Sequence, residues 1–501
     1  MPVRTGIGTA TASERCGYAA GDVGVPADGR ARSAGLAATS SDQLIALRPR
    51  THARTHARTH ALNAAPDIAD AAHRSGGLAL ATVAALVLGF AVNVGGRTVF
   101  PADFLLVATI MRTRVRARFR VTLPATATAR ALTALGAAWA VSLAVHPSVY
   151  GALSTLRWFA LIALVPALAT AMRSKPRLTA TVLGGAAVAE ALIVIGQSLR
   201  GRALGLGFLG EPARPFIESQ QVLLAPTGTI NHPDLHGWFL LAITAALILV
   251  TLRRELATPL TAAVCFLGTS AATVSYKRMP MLGWIAIGAT LLVIAVRQPG
   301  HERRVSLTLA GSLALGVAAF LPSTFHGWYY RAEAGAASVS DFSSGRVDLI
   351  PQAGEIIAAN PAGVGPNNYL PELVRRHPGM TRPTLVHVVP LLATAEGGWA
   401  VGASLVALGL IGAIDTLAAW RRRRRRWTHV ALGAAPLTIV AMLTPLPMLY
   451  AIGPVLTALG IATCAVALTT DDGEPARIGR FSSHTEQERP FLDERAHASI
   501  R

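Results

Sequence analysis

Charge is scarce in this sequence. Of 501 residues only 15% are Asp, Glu, Lys or Arg, while 52% are hydrophobic, and mean hydropathy is +0.44. A soluble enzyme of this length covers its surface with charge, so the balance excludes an ordinary soluble domain and points to a polytopic membrane protein. Cysteine is rarer still: Cys16, Cys265 and Cys464 lie far apart, the last two inside apolar runs. That excludes a disulfide framework and a cysteine-based metal cluster. Acidic residues are few beside basic ones, 27 against 46, giving a formal charge of +19, and almost all the cations are arginine. Such a surplus raises nucleic-acid binding as a function. The cations sit between apolar runs instead of forming one basic face, so no nucleic-acid partner is expected.

Residues 1–77 lack an apolar stretch long enough for a signal peptide, are rich in Ala, Arg, Ser and Gly, and contain THARTHARTH at 51–60. The expectation is a disordered cytoplasmic extension, or the product of an upstream start codon. His52, His56 and His60 recur at a helical spacing that would suit a metal. Within a low-complexity repeat they read as sequence bias.

What is present is apolar length. From Leu78 onward, runs of about 15 to 22 residues recur, the length that crosses a hydrocarbon core of about 30 Å at 1.5 Å per residue. Twelve are legible, near 78–94, 98–111, 130–146, 149–172, 178–197, 235–252, 258–274, 280–296, 305–321, 396–419, 428–444 and 447–468. The expected fold is all-α, a polytopic membrane domain over 78–468 with about 12 transmembrane helices. A cytoplasmic tail, 469–501, follows.

Basic stretches follow every second run: RTRVRARFR at 112–120, RSKPR after the fourth, RRE after the sixth, RQPGHERR after the eighth and RRRRRR at 421–426. Cytoplasmic loops collect Lys and Arg, so both termini are expected in the cytoplasm of a multi-pass plasma-membrane protein. Two long polar loops, 198–234 and 322–395, then face outward. The second, partly helical, is longer than joining two helices requires, which suggests function.

Four stretches on or near that outer face hold chemistry-bearing residues. TGTINHPDLHGWFLL (227–241) contains Asn231 and turns into the sixth run. SYKRMPMLGW (275–284) puts Arg278 at the outer mouth between the seventh and eighth. SSGRVDLIPQAGEIIAANPAGVGPNNY (343–369) carries Arg346 and reads as a helix capped by Ser343 or Ser344, broken or restarted by Pro351 and ended at Asn360 before Pro361. GVGPNN, with Gly363, Gly365 and Asn368, then forms a tight turn whose amides could approach an anion. The fourth stretch, VHVVPLLATAEGGWAVG (386–402), holds His387 and Glu396. On one straight helix their separation amounts to about 900° of rotation and roughly 13 Å of rise, so they would face opposite ways. Pro390 could break such a helix only locally.

Taken in order, these stretches resemble the O-antigen ligase/polymerase family of bacterial envelope polysaccharide assembly. The resemblance rests on Gly228, Asn231 and Pro233, then Arg278, then Arg346, then Pro361, Gly363 and Gly365, and finally His387 with Leu391 and Glu396 with Gly398. Four positions depart from the family pattern: Val388 where an Asn usually follows the histidine, Asp234 for a second Asn, Lys277 for the Ser before the arginine, and Pro351 where the loop helix often carries an aromatic. The resemblance implies transfer of a glycan from an undecaprenyl diphosphate carrier to an acceptor hydroxyl, on a glycan, lipid or cell-wall polymer, at the outer leaflet. Inversion is implied, and neither a metal nor another cofactor is expected. Arg278 and Arg346 would hold the diphosphate, because a guanidinium stays charged and can grip phosphate oxygens bidentately as the leaving group's charge develops. His387 would either take the acceptor's proton or orient the acceptor. Asn231, Gly363, Gly365, Asn368 and Glu396 would contact substrate, Glu396 receiving an acceptor hydroxyl or an arginine.

Plainer readings stand beside these. Arg278 could snorkel to headgroups. Arg157 in the fourth run either snorkels or belongs to a lipid diphosphate channel, and Glu190 in the fifth is a similar intramembrane charge. His232 and His236 flank Asp234 without a third ligand at suitable spacing, so no metal site is expected. Two rival classes compete. A transferase using polyprenyl monophosphate sugars needs an acidic residue in the first outer loop, where only Asp103 stands near its end. A transporter or flippase of envelope precursors would place charged pairs at mid-membrane.

Overall fold

The computed structural model describes residues 76–87, 92–94, 97–116, 127–214, 216–219, 223–230, 232–253, 258–334, 347, 349–380, 383–386, 388–421 and 452–469. Helix α1 runs Gly76–Val87 and tightens to a 3₁₀ turn over Ala85–Val87. A hairpin of β1 (Val92–Val94) and β2 (Arg97–Val99) follows, antiparallel with Asn93 opposite Thr98. Next come α2 (Pro101–Arg116), α3 (Ala127–Val145), α4 (Val149–Phe159), α5 (Leu161–Ser174) and α6 (Pro176–Arg200). A second hairpin pairs β3 (Phe216–Ser219) with β4 (Leu223–Pro226). The chain continues as α7 (Pro233–Arg253), α8 (Thr258–Val274), α9 (Arg278–Arg297) and α10 (His301–Ala334). Short helices α11 (Leu349–Ala359), α12 (Tyr369–Arg376) and α13 (Val389–Gly397) precede α14 (Trp399–Arg421) and α15 (Ile452–Thr469).

The helical expectation holds for most of the described chain, with two corrections. The run 78–94 is not one helix: α1 stops at Val87 and Val92–Val94 is a strand. Asn93 and the glycines that follow it favour a turn over continued helix. Both hairpins add small sheets to an otherwise helical fold. Among the described residues five segments are long and apolar enough to cross a membrane: Gly151–Ser174, Pro176–Arg200, Pro233–Arg253, Arg278–Arg297 and His301–Tyr329. Shorter apolar helices occupy Gly76–Val87, Arg130–Val145, Thr258–Val274, Leu349–Ala359, Trp399–Ile414 and Gly453–Ala467. The run 428–444 lies outside the described residues.

Helix α7 is the axis of the bundle. From Pro233 to Leu252 every residue but Ala242 is buried, which suits a sequence apolar on all sides. In lipid, apolar side chains gain little by leaving solvent, so helices are held by close approach at small residues. Gly184 on α6 lets Leu260 of α8 press in, and Gly268 on α8 does the same for Trp284 of α9. At the α8–α10 crossing Gly316 lies against the Phe266 carbonyl and Thr269, where a Cβ would collide. Thr269 Oγ1 and Ser270 Oγ donate across that crossing to Leu313 O and Gly316 O, each at 3.1 Å.

The loop helices also form where local chemistry allows. Pro351 does not break α11 but sits in its first turn, where a missing N–H removes no helical bond. The helix ends as expected: Asn360 Nδ2 donates to Ile356 O at 3.0 Å, and Pro361 follows. Ser343, Ser344 and Arg346 lie outside the described residues. Helix α13 starts at Val389 with Pro390 in its first turn, so His387 precedes the helix and the straight-helix comparison with Glu396 does not apply.

Candidate functional site

The first two stretches meet at one end of α7. Buried His236, in the first turn of that helix, pairs its Nε2 with Ser275 Oγ at 2.9 Å. Gly237 lies so close to Pro280 that a Cβ would stand 2.6 Å from Cγ. The segment between α8 and α9 is therefore clasped to α7. Tyr276 there adopts φ +53, a left-handed conformation rare for a bulky residue, and Lys277 caps α9 in extended geometry without a side-chain cap. Arg278 is half-buried at the first position of α9. The positive end of the α9 dipole adds to the charges of Lys277 and Arg278. His232 Nδ1 accepts the Asp234 N–H at 3.1 Å, a local turn at the start of α7.

A buried carboxylate orders the approach to α7. Glu190 Oε2 on α6 accepts the Thr229 N–H at 3.3 Å and contacts Thr229 Oγ1 at 2.7 Å. Gly228 has φ +65 and its missing Cβ would collide with Glu190, which explains glycine at that place. Gln197 Oε1 accepts the Gly228 N–H at 3.0 Å, and Gln197 Nε2 donates to Glu211 at 2.9 Å. Glu211 in turn accepts the N–H groups of Leu204 and Leu206, both at 2.7 Å. Glu190 is thus the anchor of the TGT turn that leads to Asn231. Asn231 itself lies outside the described residues.

The third and fourth stretches are bolted to one another. The Val364 N–H donates to Ala395 O and the Gly365 N–H to Glu396 O, each at 2.8 Å, while the Trp399 N–H donates to Pro361 O at 3.2 Å. Ser142 Oγ of α3 reaches the Glu396 carbonyl at 3.3 Å. Gly363, Gly365 and Gly398 have φ of +85, +91 and +80, and a Cβ on Gly363 or Gly398 would strike the opposing backbone. Asn367, at φ +63, directs its N–H with that of Tyr369 toward the Glu396 carboxylate. Two amides at the end of this turn thus face the protein's own Glu396 carboxyl. The Gly363 N–H donates to Asn360 O at 2.8 Å, and Asn368 Nδ2 closes onto Val364 O at 3.0 Å.

Burial pushes the Glu396 carboxyl up to about 7 against the opposing pull of the Asn367 and Tyr369 amides. Fully buried Tyr369 lies beside both Glu396 and the Val386 amide, and burial pushes its hydroxyl up to about 12. Val386, the residue before His387, is thereby tied to the same knot. His387 and Arg346 lie outside the described residues. No group of three or more His, Cys, Asp or Glu suited to a metal occurs among the described residues.

Sequence reasoning missed several buried partners. Arg157, expected to snorkel or to line a channel, forms a buried ion pair with Asp103. Thr229, Gln197 and Asn367 were not singled out. Positive φ at Asn367 is the one local signal available, since Asn tolerates it better than most residues.

Residues 263–406 match the O-antigen ligase family, a segment holding Arg278, Arg346, the GVGPNN turn, His387 and Glu396. No curated protein matches the chain. The segment is thus similar to the O-antigen ligase family, and together with the apolar helices this similarity supports a membrane protein of the O-antigen ligase/polymerase kind.

Proposed function

We propose that the protein transfers a glycan from an undecaprenyl diphosphate carrier to an acceptor hydroxyl at the outer leaflet of the plasma membrane, inverting the anomeric centre without a metal or cofactor. The observation that carries this reading is the family match over 263–406, because that segment contains both arginines and the histidine the reaction needs. A diphosphate leaving group develops charge as the glycosidic bond breaks, and a fixed guanidinium stabilises that charge. In this scheme Arg278, which stands beside Lys277 at the positive end of α9, supplies it, with Arg346 as its partner. His387 takes the acceptor's proton or orients the hydroxyl. Asn231, Gly363, Gly365, Asn368 and Glu396 shape the substrate side, the last four through the turn they build together. The domain comprises about twelve crossings, with a cavity open to the outer leaflet, both termini in the cytoplasm and the loop 322–395 outside.

The reading is tested by deleting the gene and following carrier-linked glycan, which should accumulate and clear on complementation. Purified protein should then move glycan from an undecaprenyl diphosphate donor to acceptor. Unchanged carrier-linked pools and no transfer in vitro would defeat it. A second reading, a transporter or flippase of envelope precursors, is favoured by one observation, the buried Asp103–Arg157 pair, whose arginine lies in the apolar segment Gly151–Ser174. Loss of precursor translocation with intact transfer would select it.

A further inference from the structure

We propose that His236 is a positioning residue for Arg278, acting through Ser275. This rests on the reading of Arg278 as a ligand of the donor's diphosphate. Neither His236 nor Ser275 contacts substrate in that reading, yet both are buried and joined at 2.9 Å across the α7–α8 interface. Ser275 closes α8: its N–H reaches Ala271 O and Ala272 O at 3.2 and 3.3 Å, and its hydroxyl reaches Ala271 O at 2.6 Å. Three residues on, the chain has passed through left-handed Tyr276 and extended Lys277 and begins α9 at Arg278.

A reversal this abrupt persists only where neighbours hold it. α7 holds it twice, by His236 on Ser275 and by Gly237 against Pro280. α10 holds it from another side, where Trp328 Nε1 donates to Thr273 O at 3.0 Å and its ring lies 6.1 Å from that of Tyr276. The His236–Ser275 bond is the side-chain hydrogen bond nearest in sequence to Arg278 among these. Without it the SYKR turn relaxes, and a bidentate guanidinium grip is sensitive to small displacements.

The test uses purified full-length protein in lipid nanodiscs and undecaprenyl diphosphate as the probe. His236→Leu and Ser275→Ala should each weaken probe binding about tenfold, and the double variant should be no weaker than the poorer single, as for two ends of one bond. His236→Gln, which keeps a polar nitrogen, should restore binding to within about threefold of wild type. Thr251→Val is the control: it removes the 2.7 Å Thr251–Thr261 bond between the same two helices, about 22 Å farther along α7. It should leave binding unchanged. Should His236→Leu fail to accumulate, Ser275→Ala against Ser275→Thr, which removes or keeps the hydroxyl, decides. Wild-type binding by Ser275→Ala and His236→Leu, or equal weakening by Thr251→Val, would overturn the proposal. Equal binding by Arg278→Ala and wild type would overturn it together with the role of Arg278. Probe binding that depends on His236 in a protein that transfers no glycan would remove the transferase reading alone and keep His236 as the positioning residue.

Discussion

Arg157 on α4 donates two hydrogen bonds to Asp103 in the first turn of α2, Nε to Oδ1 at 2.8 Å and Nη2 to Oδ2 at 2.7 Å. Both side chains are almost fully buried, 3% and 5% exposed. Asp103 Oδ2 also accepts the Phe100 N–H at 3.0 Å, so one carboxylate starts a helix and fastens it to another. An intramembrane arginine that looked like a candidate for lipid contact is matched within the protein.

Removing either partner leaves a buried charge uncompensated. Asp103→Asn or Arg157→Leu alone should destabilise the protein by about 3–5 kcal/mol, whereas replacing both with apolar residues of similar volume should cost far less. Thermal unfolding in detergent of the two single variants and the double variant checks this.

Two glycines nine residues apart in the loop should respond oppositely to alanine. Gly363 has φ +85 and faces the Glu396 carbonyl, so Gly363→Ala should destabilise by more than about 1 kcal/mol and depress glycan transfer. Gly354, in α11, has open space where a Cβ would stand. Gly354→Ala should stabilise by up to about 1 kcal/mol and leave transfer intact. Melting temperatures and transfer rates of the pair distinguish a constrained turn from a general intolerance of the loop.

Glu396 makes stability depend on pH. Its carboxyl titrates near 7 in the folded chain against 4.5 ordinarily, so the folded state holds the proton more tightly than the unfolded one. Stability from this group is therefore full below the ordinary value and is lost as pH rises toward 7, at no more than about 1.4 kcal/mol per pH unit. Glu396→Gln, neutral throughout and still able to accept the two amides, should flatten that part of the curve. Unfolding midpoints of wild type and variant across this window provide the measurement.

Arg346→Lys keeps the charge but loses the planar fork. If a bidentate grip on diphosphate is its role, transfer should fall by most of its wild-type value. Near-normal transfer by purified Arg346→Lys enzyme would remove Arg346 from the site.

Much of the fold was legible because membrane-crossing helices announce themselves by unbroken apolar length, as in α6, α7 and α9. The break at Val87 and the hairpin after it were not, since apolar valines serve strand and helix alike and only turn chemistry separates them. The pairing of GVGPNN with EGG was readable as two motifs but not as one structure. Glycine spacing shows that the backbone must bend, not what it bends around. That the amides of Asn367 and Tyr369 face the Glu396 carboxyl could not be read from the motif, because the glycine-rich turn that brings them there is joined to Glu396 only in three dimensions.

By itself the sequence determined that this chain is built of helices apolar enough for a membrane, and it set out four candidate stretches in order, because hydropathy and motif order are properties of the linear chain. The tertiary structure alone decided the partners: Arg157 with Asp103, His236 with Ser275, Glu190 with Thr229, Glu396 with the turn before α12. Where water is excluded each buried polar group must find a mate, and that mate lies wherever the helices happen to cross, at separations no local pattern encodes.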